Sequence, residues 1–137
     1  MVTRHSWLRF ALAGFLLLCF GPAIAAQGVG LRSDATVLYG VSDNSSRPAV
    51  VDYQKLLKQT PEWKTIKSEG VRKGTARYEL LLSDADRRIR TLVEEVAEAR
   101  GHDLVVGQGG IEDARGLKVA DLTSAVAGRL ESSSGTE

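Results

Sequence analysis

A regular spacing of apolar residues runs through the middle of the chain. Seven apolar positions follow one another at intervals of alternately four and three residues: Tyr78, Leu82, Ala85, Ile89, Leu92, Val96 and Ala99. This is the heptad pattern of a helix that buries a narrow edge against other helices. It predicts a long helix over 78–99.

A shorter helix is predicted ahead of it. Thr60-Pro61-Glu62 is a typical helix start, because it places a hydroxyl at the N-cap, proline at the first position and an acid near the positive end of the helix dipole. We expect this helix to extend over 60–72, where Gly70 and Gly74 allow the chain to reverse. The two helices therefore predict a helical hairpin, a short coiled-coil arm over about 60–100.

Short apolar runs on either side of the hairpin predict strands. Ala49–Val51 and Leu104–Val106 are compatible with buried strands, and Ile111 begins a possible return strand. The segment Val37–Val41 has strand-forming residues but fits equally well an ordered patch in a flexible leader.

The last apolar pattern predicts a final helix over Leu122–Leu130, capped by Asp121 and burying Val126 together with its two end residues. The chain as a whole is predicted to be α+β, with the hairpin projecting from a small β-sheet base. The chain has few aromatic residues to fill a large core, so the missing burial is expected from helix packing or self-association.

The beginning of the chain has the order of a cleavable secretory signal. Arg4 and Arg9 precede an apolar run over 10–20, and Ala23-Ile24-Ala25 supplies the small residues of a cleavage site. The apolar run is too short for a transmembrane helix, which needs about twenty residues. The predicted organisation is a signal peptide at 1–25, a polar leader at 26–47, one domain at 48–131 and a disordered tail at 132–137. The predicted location is the periplasm, with no membrane anchor after cleavage.

Charge narrows the classes of partner. The chain has 18 basic and 17 acidic residues, and loss of the signal removes Arg4 and Arg9 but no acid, which brings the net charge to about −1. Near neutrality argues against a general nucleic-acid binder. The charge is nevertheless uneven, since cations outnumber acids between Lys55 and Arg90. Cys19 lies in the predicted signal, so the mature chain is expected to lack disulfides and thiolate metal sites.

The chain has few residues of the types and spacings that form catalytic sites. His102 is the only histidine after the signal, and it follows the expected helix end, where an exposed and inert histidine is the more common case. Glu94 and Glu98 lie one helical turn apart, outside the apolar edge, as on a solvated face. The turn over 107–110 lacks both the lysine of a P-loop and a helix directly after it. We therefore expect no enzymatic site, no cofactor and no metal.

Several segments together resemble the Skp/OmpH family of periplasmic chaperones. They are Ala49-Val50-Val51-Asp52-Tyr53-Gln54-Lys55-Leu56-Leu57, Thr60-Pro61-Glu62, Gly101-His102-Asp103-Leu104-Val105-Val106 and Lys118-Val119-Ala120-Asp121-Leu122-Thr123. The resemblance implies a short-armed member in which a strand, a helical hairpin, two strands and a terminal helix form each subunit. It also implies a homotrimer joined through its strand-bearing ends, which encloses unfolded outer-membrane proteins without ATP.

The predicted function is therefore an ATP-independent holdase for unfolded outer-membrane or envelope proteins. The alternative is a structural or adaptor protein that docks its hairpin onto one folded envelope partner. The residues expected to contact clients are Lys64, Lys67, Val71, Arg72, Lys73, Arg77, Tyr78, Leu80, Leu81, Arg87 and Arg88. The residues expected in the core or between subunits are Val50, Val51, Leu56, Leu82, Ile89, Leu92, Val96, Leu104, Val105 and Val106. Two interpretations of Leu80 stay open: it packs on another subunit, or it is contact surface for an apolar partner.

Overall fold

The computed structural model describes residues 28–135; the predicted signal peptide and the last two residues lie outside this range. The described chain is α+β, as predicted. Its strands are β1 (Gly30–Leu31), β2 (Val37–Gly40), β3 (Pro48–Val51), β4 (Leu104–Gly107), β5 (Ile111–Asp113) and β6 (Ala120–Asp121). Its helices are α1 (Tyr53–Gln59), α2 (Pro61–Ser68), α3 (Ala76–Arg100) and α4 (Thr123–Ser134). Among residues 28–135, no helix has the length and hydrophobicity required to cross a membrane.

A mixed four-stranded sheet forms the base, in the order β2-β4-β3-β6. Strands β3 and β4 are parallel and place Ala49 opposite Val105, so the helices α1 to α3 form the crossover between them. Strand β2 is antiparallel to β4 and β6 is parallel to β3. A separate antiparallel ribbon consists of β1 and β5.

The central strand β4 is buried on both faces. Val105 belongs to the main core beneath the helices, whereas Leu104 and Val106 form a second cluster with Val29 on the opposite face. Successive side chains of a strand point to opposite faces, which explains this alternation. A fully apolar strand is therefore needed at this position.

The predicted leader, residues 26–47, contributes side chains to both hydrophobic cores. Val29 lies in the second cluster and Leu38 in the main core, and β2 makes Val37–Gly40 part of the sheet. Strand β2 pairs with the edge of β4 that β3 leaves open, so residues upstream of residue 48 are part of the sheet. Of the two interpretations of Val37–Val41, the structure shows the strand, and this strand ends at Gly40.

Burial along α3 is wider than a coiled-coil seam. Ala85, Ile89, Leu92 and Val96 are buried as predicted, and Val93 and Ala97 add a second row. Ala99 is exposed, and Tyr78 and Leu82 are only partly buried. A stripe of this width is typical of a helix that packs on a globular core. Helix α3 contacts α1, α4 and the strands β2 and β4 in addition to α2.

Most of the predicted core residues are buried: Val51, Leu56, Ile89, Leu92, Val96, Leu104, Val105 and Val106. Val50 and Leu82 are exceptions, being partly exposed. Val50 lies on the face of β3 opposite Ala49 and Val51, and Leu82 lies near the end of α3 that extends away from the sheet. Both positions are therefore at the margin of the core.

The helix ends follow the predicted chemistry with two differences. Thr60 caps α2 through a bond from the Trp63 N–H to its Oγ1, and Gly101 ends α3 in a left-handed conformation. However, α2 ends at Ser68, before the predicted residue 72. The final helix α4 extends to Ser134, into the predicted disordered tail, and the Asp121 side chain accepts from the Thr123 N–H without serving as its N-cap.

Candidate functional site

The turn between α2 and α3 is the part of the arm farthest along the chain from the sheet strands. Gly70 adopts a left-handed backbone with φ 61°, and the Val71 N–H donates to the Ile66 carbonyl at 3.0 Å. This bond and the glycine form a Schellman-type helix end, in which the residue after the glycine packs toward the last helical turn. Thr75 then caps α3 by accepting a bond from the Tyr78 N–H.

This turn closes one end of a groove that we name the tip groove. It has a volume of about 460 Å³ and is lined by Trp63, Ile66, Lys67, Gly70, Val71, Arg72, Lys73 and Tyr78. Ile66 is buried, while Trp63, Val71 and Tyr78 are partly exposed and present apolar surface to the groove. The lining therefore combines an apolar floor with a cationic rim.

A cation–π contact orders part of this lining. The Lys67 ammonium lies 5.1 Å from the centre of the Trp63 ring. A lysine in this position is attracted to the negative face of the indole. The contact holds the aliphatic stem of Lys67 along the groove while its charge remains exposed.

Two ion pairs fasten α2 to α3 in antiparallel orientation. Arg88 donates to Glu62 at 2.7 Å, and the Glu62 side chain is only 12% exposed. Nearer the turn, Arg77 pairs with Glu69. These pairs align the two helices along their length, so the groove between them has a defined shape.

The structure divides the predicted client-binding residues into three groups. Lys67, Val71, Arg72, Lys73 and Tyr78 meet in the tip groove. Arg87 and Arg88 line a second groove of about 450 Å³ together with Glu62, Asp84, Thr91, Leu92 and Ser133. Lys64, Arg77, Leu80 and Leu81 line neither of these grooves.

The second groove carries charges of both signs. Arg87 pairs with Asp84 at 3.4 Å and Arg88 with Glu62, so both arginines already have acidic partners. Within the described residues, Lys64, Lys67, Arg72 and Lys73 form no ion pair. Three of these cations, Lys67, Arg72 and Lys73, line the tip groove.

Leu80 is exposed away from the tip groove. Its side chain is 62% exposed, and it lies two residues after Tyr78, so the two side chains point to different sides of α3. Leu81 is partly buried. In the single chain, Leu80 forms an isolated apolar contact point outside the core.

Trp63 and Ile66 line the tip groove but are absent from the predicted contact list. Trp63 and Ile66 are three residues apart, a spacing that places both on one face of α2, and Ile66 is buried there. Trp63 and Lys67 are four residues apart, which is the spacing at which helical side chains meet. That aromatic–cation pair is the signal that could have placed Trp63 in the site.

The glycine-rich turn after β4 lies at a different place, in a cleft of about 710 Å³ that Arg32, Asp34, Tyr53 and Asp86 also line. Its N–H groups are largely engaged within the protein: Gly107 donates to Thr36, Gln108 to Val51 and Gly110 to Gly107. Groups committed in this way do not form the ring of donors that holds a phosphate.

Tyr53 and His102 in the base both have hydrogen-bond partners within the protein. The Tyr53 hydroxyl donates to Asp86 at 2.9 Å, and burial together with this bond raises the pKa of Tyr53 to about 12. His102 Nδ1 lies 3.1 Å from the Arg47 carbonyl. Within residues 28–135, no cluster of three or more histidine, cysteine or acidic side chains is arranged to hold a metal ion.

Searches among family models, curated proteins and solved structures found no match to this chain.

Proposed function

We propose that this protein is a periplasmic, ATP-independent holdase of the Skp/OmpH type that binds unfolded outer-membrane or envelope proteins. The observation that carries this proposal is the tip groove, where exposed apolar surface and exposed cations occur together on a short helical arm. Apolar surface binds the segments that unfolded chains expose, and the cations attract acidic stretches nearby.

The order of elements supports the proposal. Strand β3, the helices α1 to α3, strands β4 and β5 and the terminal helix α4 occur in the order that the resemblance implies, with the two-residue strand β6 added before α4. Here α2 and the first half of α3 would serve as the arm, a short coiled coil, while the second half of α3 belongs to the base.

A homotrimer joined through the strand-bearing ends is part of the same proposal. The four-stranded sheet ends at β2 on one side, and Val41, directly after this strand, is 69% exposed. Terminal strands and exposed apolar residues are the usual material of contacts between copies. Light scattering coupled to size-exclusion chromatography measures the mass of the assembly; three copies are expected, and a monomer at all concentrations would remove this part.

The function is tested by the aggregation of a denatured outer-membrane protein diluted out of urea. The purified protein is expected to suppress aggregation without ATP, and the paired variant Arg72→Glu/Lys73→Glu is expected to suppress it less. Lys118→Glu, a charge reversal on an exposed loop residue of the base, is the matched control and is expected to behave as the parent. Absence of protection by the parent protein would refute the holdase proposal.

The second candidate is an adaptor that docks its arm onto one folded envelope partner. The defined shape of the tip groove, fixed by the Schellman-type turn and the Glu62–Arg88 pair, favours a complementary partner surface. Crosslinked pulldown from periplasm separates the candidates: many unrelated unfolded proteins favour the holdase, and a single stoichiometric partner favours the adaptor.

A further inference from the structure

We propose that the tip groove selects one large apolar side chain of a partner segment in which Asp or Glu residues flank that side chain. This inference deepens the proposed holdase function and rests on it, because it names the class of sequence that the arm recognises. The occupant is an extended protein segment, and it is argued from the floor, the rim and the rigidity of the groove.

The floor of the groove suits a single large side chain. Trp63, Val71 and Tyr78 provide partly exposed apolar surface around the buried Ile66. A volume of about 460 Å³ lies at the lower end of the range for ligand pockets, which is about 300–1,000 Å³. Two aromatic rings also favour an aromatic guest, since edge-to-face and stacked contacts add to apolar burial.

The rim supplies charge of one sign. Lys67, Arg72 and Lys73 are exposed and line the groove, and none of its lining residues is acidic. Glu69, the acid directly after α2, is paired with Arg77. An acid-flanked guest therefore finds cations on the rim without breaking an ion pair, whereas a lysine-flanked guest is repelled.

The groove is also shaped before the guest arrives. The Val71 N–H to Ile66 carbonyl bond fixes the turn, and the Lys67–Trp63 contact orders one wall. Ordering these side chains in advance lowers the entropy cost of binding. A preformed groove discriminates between segments, in contrast to a featureless apolar patch.

Trp63 is a reporter for this site. The chain has two tryptophans, Trp7 in the predicted signal and Trp63 in the groove. In the full chain carrying Trp7→Phe, Trp63 is the single indole, and its emission responds to a guest that covers it. Three capped tryptophan-free peptides serve as probes: one with phenylalanine flanked by glutamates, one with phenylalanine flanked by lysines, and one with glycine flanked by glutamates.

The glutamate-flanked phenylalanine peptide is expected to shift the Trp63 emission and to bind at least about tenfold more tightly than the other two, because both apolar burial and rim charge are satisfied. Equal affinity for all three peptides, or no binding of the first, would overturn the inference.

Charge reversal gives the sharper test. Arg72→Glu/Lys73→Glu is expected to weaken the glutamate-flanked peptide by about tenfold and to raise the affinity for the lysine-flanked one, since the sign of two rim charges changes. Val71 lies outside the core clusters, and Val71→Ser is expected to weaken the binding of both phenylalanine peptides. Lys118→Glu should change none of these affinities. Circular dichroism confirms that each variant is folded.

Two further readouts separate this inference from the holdase proposal. Peptide selectivity with no protection of a denatured client leaves the groove assignment standing and removes the holdase. Full client protection by variants that have lost peptide binding shows that clients bind elsewhere and overturns the inference. Vesicles containing phosphatidylglycerol that shift the Trp63 emission when no peptide does so would assign the groove to a membrane surface and would also overturn it.

Discussion

The two halves of α3 use similar amino acids for opposite purposes. Toward its C-terminal end, Ile89, Val93 and Ala97 are completely buried between α4, α1 and the sheet. Toward its N-terminal end, Leu80 is 62% exposed and Leu82 is only partly buried. The same helix thus changes from a core element into an arm within three turns.

This difference shows where stability and recognition reside. The base buries apolar residues on both faces of β4, so the folding free energy of the base comes from apolar packing. The tip has few packed residues and is held by a capped turn and ion pairs. Substitutions should therefore affect stability at the base and binding at the tip.

The largest contrast is expected between Ile89→Ala and Leu80→Ala. Ile89 is completely buried, and truncation of such a side chain costs about 2–5 kcal/mol of unfolding free energy because it leaves a cavity. Truncation of the exposed Leu80 should change the unfolding free energy by less than about 0.5 kcal/mol. Urea unfolding followed by circular dichroism measures both. A cost for Leu80→Ala that rises with protein concentration would instead place Leu80 between subunits.

The next effect concerns the contact between the start of β4 and the loop before β3. Asp103 precedes β4 and accepts bonds from Ser45 Oγ at 2.6 Å, from the Ser46 N–H at 2.7 Å and from the Arg47 N–H at 3.1 Å. This carboxylate therefore attaches the loop before β3 to the start of β4. Asp103→Asn removes the charge from these bonds and is expected to cost about 2 kcal/mol of unfolding free energy. Asp43→Asn, an exposed aspartate in the same loop, should be nearly neutral.

The same carboxylate predicts a dependence on pH. Burial favours a raised pKa for Asp103, but the bonds from Ser45, Ser46 and Arg47 outweigh it and lower the pKa to about 2. A lowered pKa contributes stability above the unfolded value of about 3.9 and loses that stability as the pH falls toward 2. The stability difference between the parent and Asp103→Asn should therefore shrink between about pH 4 and pH 2. A constant difference across this range would contradict the assignment.

Local signals predicted several element boundaries in the arm and the base, because each boundary has a physical cause within a few residues. Thr60-Pro61 starts α2, Gly101 ends α3, and the apolar run Leu104–Val106 forms the central strand. The sequence did not assign Val29 and Leu38 to the cores, because their burial depends on long-range contacts with β4. The second buried row of α3, Val93 and Ala97, likewise depends on packing against α4 and the sheet.

The candidate site was predictable in composition but not in geometry. The excess of cations and the two glycines of the turn are visible in the sequence. Which cations are neutralised by ion pairs is a matter of distance: Arg87 and Arg88 have acidic partners, whereas Arg72 and Lys73 line the groove. A contact list drawn from sequence therefore includes residues with quite different electrostatic roles.

The smallest effect is expected for the difference in coupling energy between the two ion pairs that join α2 to α3. The Glu62 side chain is 12% exposed in its pair with Arg88, whereas Glu69 and Arg77 are 46% and 62% exposed in theirs. Solvent screening weakens an exposed pair, and ordering two long side chains offsets part of the attraction. Double-mutant cycles with Glu→Gln and Arg→Met changes should give a coupling of about 1–2 kcal/mol for the first pair and about 0.2–1 kcal/mol for the second.

High salt sharpens this last comparison. In 1 M NaCl the coupling between Glu69 and Arg77 should largely disappear, because both side chains are open to solvent, while the coupling between Glu62 and Arg88 should persist in part. A coupling at the tip that equals or exceeds the one nearer the base would mean that the turn is held as firmly as the core. The arm would then be a rigid extension of the base, and recognition at the tip groove would have to occur without movement of α2 against α3.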